Sequence, residues 1–155
     1  MKTMNKSNVD HYTHTIEVET PSDKVYNALT HEIPLWWSEM FEGSSVKAGD
    51  AFTIRFGDKI HKTMRVKESI LNSKVIWYVE DSLIALPVLK NQTEWIGTYI
   101  VWEIKQKENS TRLQVTHIGL RPSTECYDIC SEGWLQFTNS LKLFLETGKG
   151  NPYTK

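Results

Sequence analysis

Residues 124–146 read TECYDICSEGWLQFTNSLKLFLE, and the spacing of the large apolar side chains in this stretch predicts one long amphipathic helix. On a wheel that advances 100° per residue, Cys126, Tyr127, Cys130, Trp134, Phe137, Leu141, Phe144 and Leu145 fall in a stripe roughly 100° wide. Pro122, Ser123 and Thr124 supply a start signal and Gly148 a stop. At 1.5 Å per residue the helix spans roughly 35 Å. Gly133 costs about 1 kcal/mol against alanine in a helix interior. It sits beside the stripe, where a missing side chain would let another element come close.

A stripe this wide needs an apolar partner, and the preceding sequence offers strands. Residues 111–119 alternate, with Leu113, Val115 and His117 on one face. Glu108, Asn109 and Ser110 form a turn to an earlier strand over 94–106. Further upstream, residues 74–80, 60–67 and 52–56 alternate in the same way, with Gly57-Asp58 as a hairpin turn. The chain opens with a strand over 12–18, where Tyr12, His14, Ile16 and Val18 share a face. Thr20-Pro21-Ser22-Asp23 reads as a helix start with Thr20 as N-cap. That helix runs to about His31, Pro34 breaks it, and a second short helical piece from Leu35 ends near Gly43. The order predicts an α+β fold in which a curved antiparallel sheet of about six or seven strands wraps a long C-terminal helix. Residues 81–92 do not fit this pattern. Leu83, Ile84, Leu86, Val88 and Leu89 are apolar without period, and Pro87 disfavours a central strand. The segment reads as an apolar loop that needs a cover or a partner.

Composition bounds the function classes. The chain has 155 residues, 39% hydrophobic and 24% charged, which suits one globular domain. Its expected extent is 11–150, between tails at 1–10 and 151–155. A formal net charge of −1 provides no long-range attraction to nucleic acid, and no basic stripe interleaved with aromatics is present. No apolar run reaches membrane-spanning length, and the first residues lack a signal-peptide core. The two cysteines, Cys126 and Cys130, read as free thiols in a reducing, cytoplasmic setting. No Gly-rich phosphate loop and no nucleophile elbow occurs.

Two stretches carry a family resemblance: Gly133-Trp134 followed by Phe137, Leu141-Lys142 and Phe144-Leu145-Glu146, and residues 111–120, TRLQVTHIGL. Together they resemble the START-like (SRPBCC) superfamily, the helix-grip fold shared with birch-pollen-type allergens. Residues 19–29, ETPSDKVYNAL, and Trp36-Trp37 are similar to the branch typified by the C-terminal domain of the heat-shock chaperone ATPase activator. The resemblance covers residues 12–148. It implies a cavity between sheet and helix and a small hydrophobic ligand, without implying a reaction. It also suggests a chaperone partner.

The candidate cavity residues are Trp36, Trp37, Phe52, Phe56, Trp77, Trp95, Tyr99, Trp134 and Phe137, with His117, Cys126 and Cys130 as the polar or reactive groups among them. The aromatic residues either line a pocket or fill the core. His117 either orients a ligand and serves as acid/base, or is a hydrogen-bonded core histidine. Cys126 near the helix start is either a thiol activated by the helix dipole or a small apolar filler. A zinc site of Cys126, Cys130 and His117 lacks a fourth ligand, so no metal or other cofactor is expected. His61, Arg65 and Lys67 read as a solvated polar face. Both faces of the 94–106 strand are apolar, which suggests a homodimer contact on the outer one. The sequence favours a non-enzymatic binder of a small hydrophobic or aromatic molecule. The alternatives are a cyclase- or hydrolase-like enzyme using the same cavity and a partner-binding module.

Overall fold

The alternating segments become seven strands: β1 (Tyr12–Val18), β2 (Phe41–Gly43), β3 (Ala51–Arg55), β4 (Ile60–Ile70), β5 (Lys74–Ile84), β6 (Tyr99–Gln106) and β7 (Thr111–Ile118). The computed structural model describes residues 11–154, and the tail expected over 1–10 lies outside them. The strands pair in one antiparallel sheet in the order β1-β7-β6-β5-β4-β3-β2. Ile16 opposes Leu113, so the first strand joins the sheet beside the last. Helices α1 (Ser22–His31) and α2 (Ile33–Trp36) fill the connection from β1 to β2, and α3 (Tyr127–Thr147) follows β7. This is the expected helix-grip α+β arrangement, a curved sheet closed around the C-terminal helix.

The long helix buries the anticipated stripe. Cys130, Trp134, Phe137 and Leu141 are buried, while Tyr127, Phe144 and Leu145 are partly so. An aromatic ring of this size buries about 150–250 Å², so Trp134 alone contributes roughly 4–6 kcal/mol as an upper value. The helix ends where Gly148 turns left-handed at φ 88° and donates its N–H to the Phe144 carbonyl at 2.8 Å. The six tryptophans form one connected cluster. Trp37 bridges Trp36, Trp77 and Trp134 at ring separations of 5.4, 5.7 and 5.5 Å. Trp134 continues to Trp95 at 5.9 Å and Trp102 at 5.7 Å. Trp102 meets Trp36, Trp77 and Trp134 edge-to-face, a geometry that ring quadrupoles favour, as they do the offset stacks.

Several local expectations are corrected. The helix begins at Tyr127 rather than 124, because Thr124 closes a turn with Arg121. The second helical piece stops at Trp36, and Phe41–Gly43 is instead a strand on β3, where Phe41 stacks on Phe52 at 5.6 Å. Thr20 makes no side-chain cap; the Ser22 N–H is received by Gln106 Oε1 at 2.8 Å. The strand expected over 94–106 begins only at Tyr99. Residues 93–98 form a tight turn held by Ile96 N–H to Thr93 O and Thr98 Oγ1 to Trp95 O. β5 runs on to Ile84 and absorbs the start of the apolar segment; Leu89 is then buried and Val88 exposed. Gly133 admits no close neighbour, since a Cβ there would meet nothing within 4 Å. Residues 151–154 lie against the fold: Tyr153 N–H donates to Trp37 O at 2.9 Å, and Tyr153 O accepts from Glu39 N–H at 3.0 Å.

Candidate functional site

Alternation along β4 points Lys62, Met64 and Val66 at the helix, and all three are buried. Lys62 is only 6% exposed. Lysine usually lays its stem on apolar surface and carries its charge out to water; here the charge goes inward. Its ammonium stands 4.4 Å from the Trp95 ring centroid and 5.2 Å from that of Phe56. No carboxylate and no hydrogen-bond acceptor meets it among the described residues. Burial lowers its pKa from 10.5 to about 8, partly opposed by Cys130 and Cys126.

Lys62 opens onto a cavity of about 320 Å³ between the sheet and α3. The helix contributes Cys130, Trp134 and Phe137 to its wall, with Ile129, Gly133 and Gln136 toward the rim. The sheet contributes Ile60, Lys62 and Ile84, and the loops contribute Trp37, Phe56, Trp95 and Tyr153. Ile129 and Gln136 are exposed, so the cavity reaches the surface beside the helix. The lining is predominantly apolar, and Lys62 is the charged side chain among the residues that form it.

Two carboxylates tie down the loop that carries Trp95. Glu94 receives the N–H groups of Glu125 and Cys126, both at 3.0 Å, and so caps α3 from across the fold. Glu125 in turn receives the N–H groups of Lys90 and Asn91, both at 2.8 Å. Those two bonds, that of Asn91 first, hold the Glu125 carboxyl below its usual range.

His117 is buried one layer behind the wall. Its Nδ1 accepts the indole N–H of Trp134 at 3.1 Å, and an indole can only donate. The proton of the neutral ring therefore sits on Nε2, which is 2.9 Å from Thr98 Oγ1. Thr98 Oγ1 then donates to the Trp95 carbonyl at 2.6 Å. Both ring nitrogens are engaged. Burial, with the charges of Lys62 and His11 adding to it, pushes the ring's pKa down to about 3.

Cys126 and Cys130 are free thiols with their sulfurs 2.7 Å apart. Their hydrogen bond raises the pKa of Cys126, and burial adds to that. The same bond lowers Cys130, helped by the Trp95 indole N–H at 3.2 Å and by Lys62. Among the described residues no group of three or more His, Cys, Asp or Glu side chains could hold a metal ion.

Of the residues singled out in the sequence, Trp37, Phe56, Trp95, Cys130, Trp134 and Phe137 meet at the cavity. Trp36, Phe52 and Trp77 are buried in the core behind it. Cys126 and His117 also sit one layer back; of the two readings of His117 the structure shows the hydrogen-bonded core histidine, and Lys62 is the charged group on the cavity wall. Tyr99 points out of the fold, where it packs on Tyr78 at 5.0 Å. It belongs to β6, whose inward residues are Ile100, Trp102 and Ile104. Ile60, Lys62, Ile84, Gln136 and Tyr153 were not among the cavity residues read from the sequence. For Lys62 the signal was available in its parity with Met64 and Val66. His61 and Arg65 lie on the polar face as expected, paired with Asp81 at 3.0 Å and Glu80 at 2.6 Å.

Comparison with known proteins places this geometry. A solution structure of the Aha1 dimer from Colwellia psychrerythraea is 28% identical and superposes with a TM-score of 0.74, covering 90% of this chain and 98% of that one. Protein MLL2253 from Mesorhizobium loti shares the fold at 20% identity and TM-score 0.68, covering 86% of this chain and 96% of that one. DynU16, a putative protein in the dynemicin biosynthetic locus, shares it at 19% identity and TM-score 0.71, covering 91% of this chain and 49% of that one. No curated protein sequence matches. No helix among the described residues is long and apolar enough to cross a membrane. Residues 19–146 match the family described as Activator of Hsp90 ATPase homolog 1-like protein, and the chain belongs to that family.

Proposed function

We propose that this protein binds a small apolar, ring-bearing molecule in the cavity between the sheet and α3, as a carrier or sensor rather than a catalyst. The observation that carries this reading is a void of about 320 Å³ walled by Trp37, Phe56, Trp95, Trp134 and Phe137. A void of this size is at the lower end of small-molecule sites. Protein interiors otherwise pack like organic crystals, so an apolar space next to a dense tryptophan cluster invites occupation. Burial of ligand surface would provide the drive, about 25 cal/mol per Å². An enzymatic role would need an acid or base on the void beside Lys62; His117 has both ring nitrogens engaged elsewhere, which leaves Cys130 and Tyr153 as the titratable side chains that share the wall with it. Native mass spectrometry of freshly purified protein is expected to show an adduct of a few hundred daltons. If no adduct appears and the tryptophan emission is unmoved by a panel of naphthalene and indole compounds, the reading fails.

A second reading concerns assembly. Ile96, Tyr99 and Ile118 expose apolar surface on the outer side of β6 and β7, and the Colwellia neighbour is a dimer. A homodimer through this face is proposed, with light scattering as its test: a monomeric mass at working concentration rules it out. The family's name raises a chaperone partner as well. Val88, 72% exposed on the loop beside the cavity, is the residue whose replacement by aspartate is expected to weaken such binding.

A further inference from the structure

We propose that the molecules this cavity takes carry an acidic group, a carboxylate on an apolar ring system, and that the acid seats on the ammonium of Lys62. This rests on the ligand-binding reading above and adds the chemical class of ligand.

The first ground is an unpartnered buried cation. Buried charges are normally paired and hydrogen-bonded. Lys62 is 94% buried and has only the faces of Phe56 and Trp95 and the nearby thiols for company. An ammonium has three donors, and no acceptor among the described residues takes one. The second ground is Ser82, the direct cross-strand partner of Lys62 on β5. Its side chain is 1% exposed, and its hydroxyl has no hydrogen-bond partner. Paired residues in a ladder project to the same face, so a cation and a free hydroxyl stand side by side on two rigid strands. Ser82 itself does not line the cavity, so the ammonium is the group an acid reaches, with the hydroxyl a polar neighbour behind it.

The chemistry of the surroundings selects the type of anion. One ammonium on an otherwise apolar wall matches a singly charged carboxylate. A phosphate would call for a guanidinium fork or a helix N-terminus. The amides that lead into α3, those of Glu125 and Cys126, already hold the carboxylate of Glu94. The apolar body of the ligand would lie between Phe56, Trp95, Trp134 and Phe137, with its far end toward Gln136 at the rim.

The test compares 2-naphthoate with its neutral counterpart 2-naphthalenemethanol, followed by tryptophan quenching of the full chain at pH 7. Wild-type protein is expected to bind the acid at least about tenfold more tightly than the alcohol, as a hydrogen-bonded ion pair provides. Lys62→Met and Lys62→Gln should both remove that preference, bringing the affinities for acid and alcohol together. The wild-type preference should also fade between pH 7 and 9.5, as the amine loses its proton. The other titratable groups around the cavity are the Tyr153 hydroxyl and, on α3, Cys130, whose pKa is lowered, and Cys126, whose pKa is raised; His117 stays neutral throughout. The two variants therefore decide the assignment, and the wild-type pH profile tests it should both fail to fold. Equal binding of acid and alcohol by wild type, or a preference that survives both variants, overturns the acid-on-Lys62 inference and leaves the cavity reading standing. Failure of both compounds to bind wild type counts against the cavity reading itself, and the inference falls with it.

Discussion

Replacing Lys62 by methionine is expected to stabilise the protein, and the amount follows from the site. Folding moves the ammonium's pKa from 10.5 to about 8. At about 1.4 kcal/mol per pH unit, the buried charge costs the native state roughly 3 kcal/mol. Below pH 8 both native and unfolded chains are protonated at this position and the cost is felt in full. Between pH 8 and 10.5 the native lysine is neutral while the unfolded one still binds its proton, and stability climbs as pH rises. Above 10.5 both are neutral and the cost is gone. Methionine keeps the length of the stem and removes the charge. It also gives up the attraction of the ammonium to the rings of Phe56 and Trp95, about 1 kcal/mol. The expected net gain at pH 7 is about 2 kcal/mol, or roughly 1 M in urea midpoint for a domain of this size. Urea titrations of both proteins at pH 7 and pH 10, followed by tryptophan emission, measure it. The gain should shrink to near zero or reverse at pH 10. A variant less stable than wild type at pH 7, or a gain independent of pH, would refute the claim that this cation is buried without a counter-charge.

Three further outcomes are expected. His117 binds no proton in the native state until about pH 3, whereas the unfolded ring takes one near 6.5, so stability should fall by about 1.4 kcal/mol per pH unit between those values. His117→Gln should cost about 2–3 kcal/mol at pH 7 by leaving the Trp134 and Thr98 network incomplete, and it should flatten the acid slope; an unchanged slope in urea titrations from pH 7 to 4.5 sinks this. Gly133→Ala should add about 1 kcal/mol of helix stability, since its Cβ meets nothing within 4 Å, whereas Gly133→Leu should reduce naphthoate affinity by projecting into the cavity mouth; naphthoate affinity unchanged in the leucine variant would count against the mouth lying there. Of the two thiols, Cys130 lines the cavity and has the lowered pKa, so it should alkylate with iodoacetamide before Cys126 and be protected by bound naphthoate; peptide mapping that finds Cys126 modified first contradicts this.

The pattern of what could be read from the sequence has physical causes. Residues 124–146 and 111–119 have periods sustained over many residues, and long-period signals survive tertiary context. The aromatic part of the cavity was legible because Trp134 and Phe137 share the helix stripe. What escaped is where alternation breaks. Across β4 and β5 the register shifts between Thr63 and Met64, so Val79 and Asp81 face consecutive residues and Glu80 is left as the extra one. Beyond this bulge the buried parity of β5 changes from Val75, Trp77 and Val79 to Ser82 and Ile84. Extrapolated alternation puts those two residues outside, and the segment instead reads as an aperiodic loop. The same logic misplaced Tyr99. Its spacing from Trp95 matches a strand face, but the turn over 93–98 separates the two, and Trp95 returns to the cavity through the Glu94 cap rather than through the ladder. His117 was correctly turned inward by parity. Its engagement by Trp134 and Thr98 depends on contacts distant along the chain, which no local pattern encodes.

The position of Lys62 also bears on how the site could discriminate. Its backbone is held on both sides, by β3 and by β5, and of the rings above it Phe56 comes from the β3–β4 turn and Trp95 from a loop fastened by Glu94 and Glu125. Groups on rigid elements keep their geometry better than groups on free loops. A cation buried at a cost to stability and surrounded by a fixed wall is the arrangement in which a partner that brings the missing charge gains binding energy that a neutral one of the same shape does not. Stability and function then oppose each other at one residue. A variant that is more stable and binds acids less well would show both effects, whereas a lysine kept only for packing would show neither.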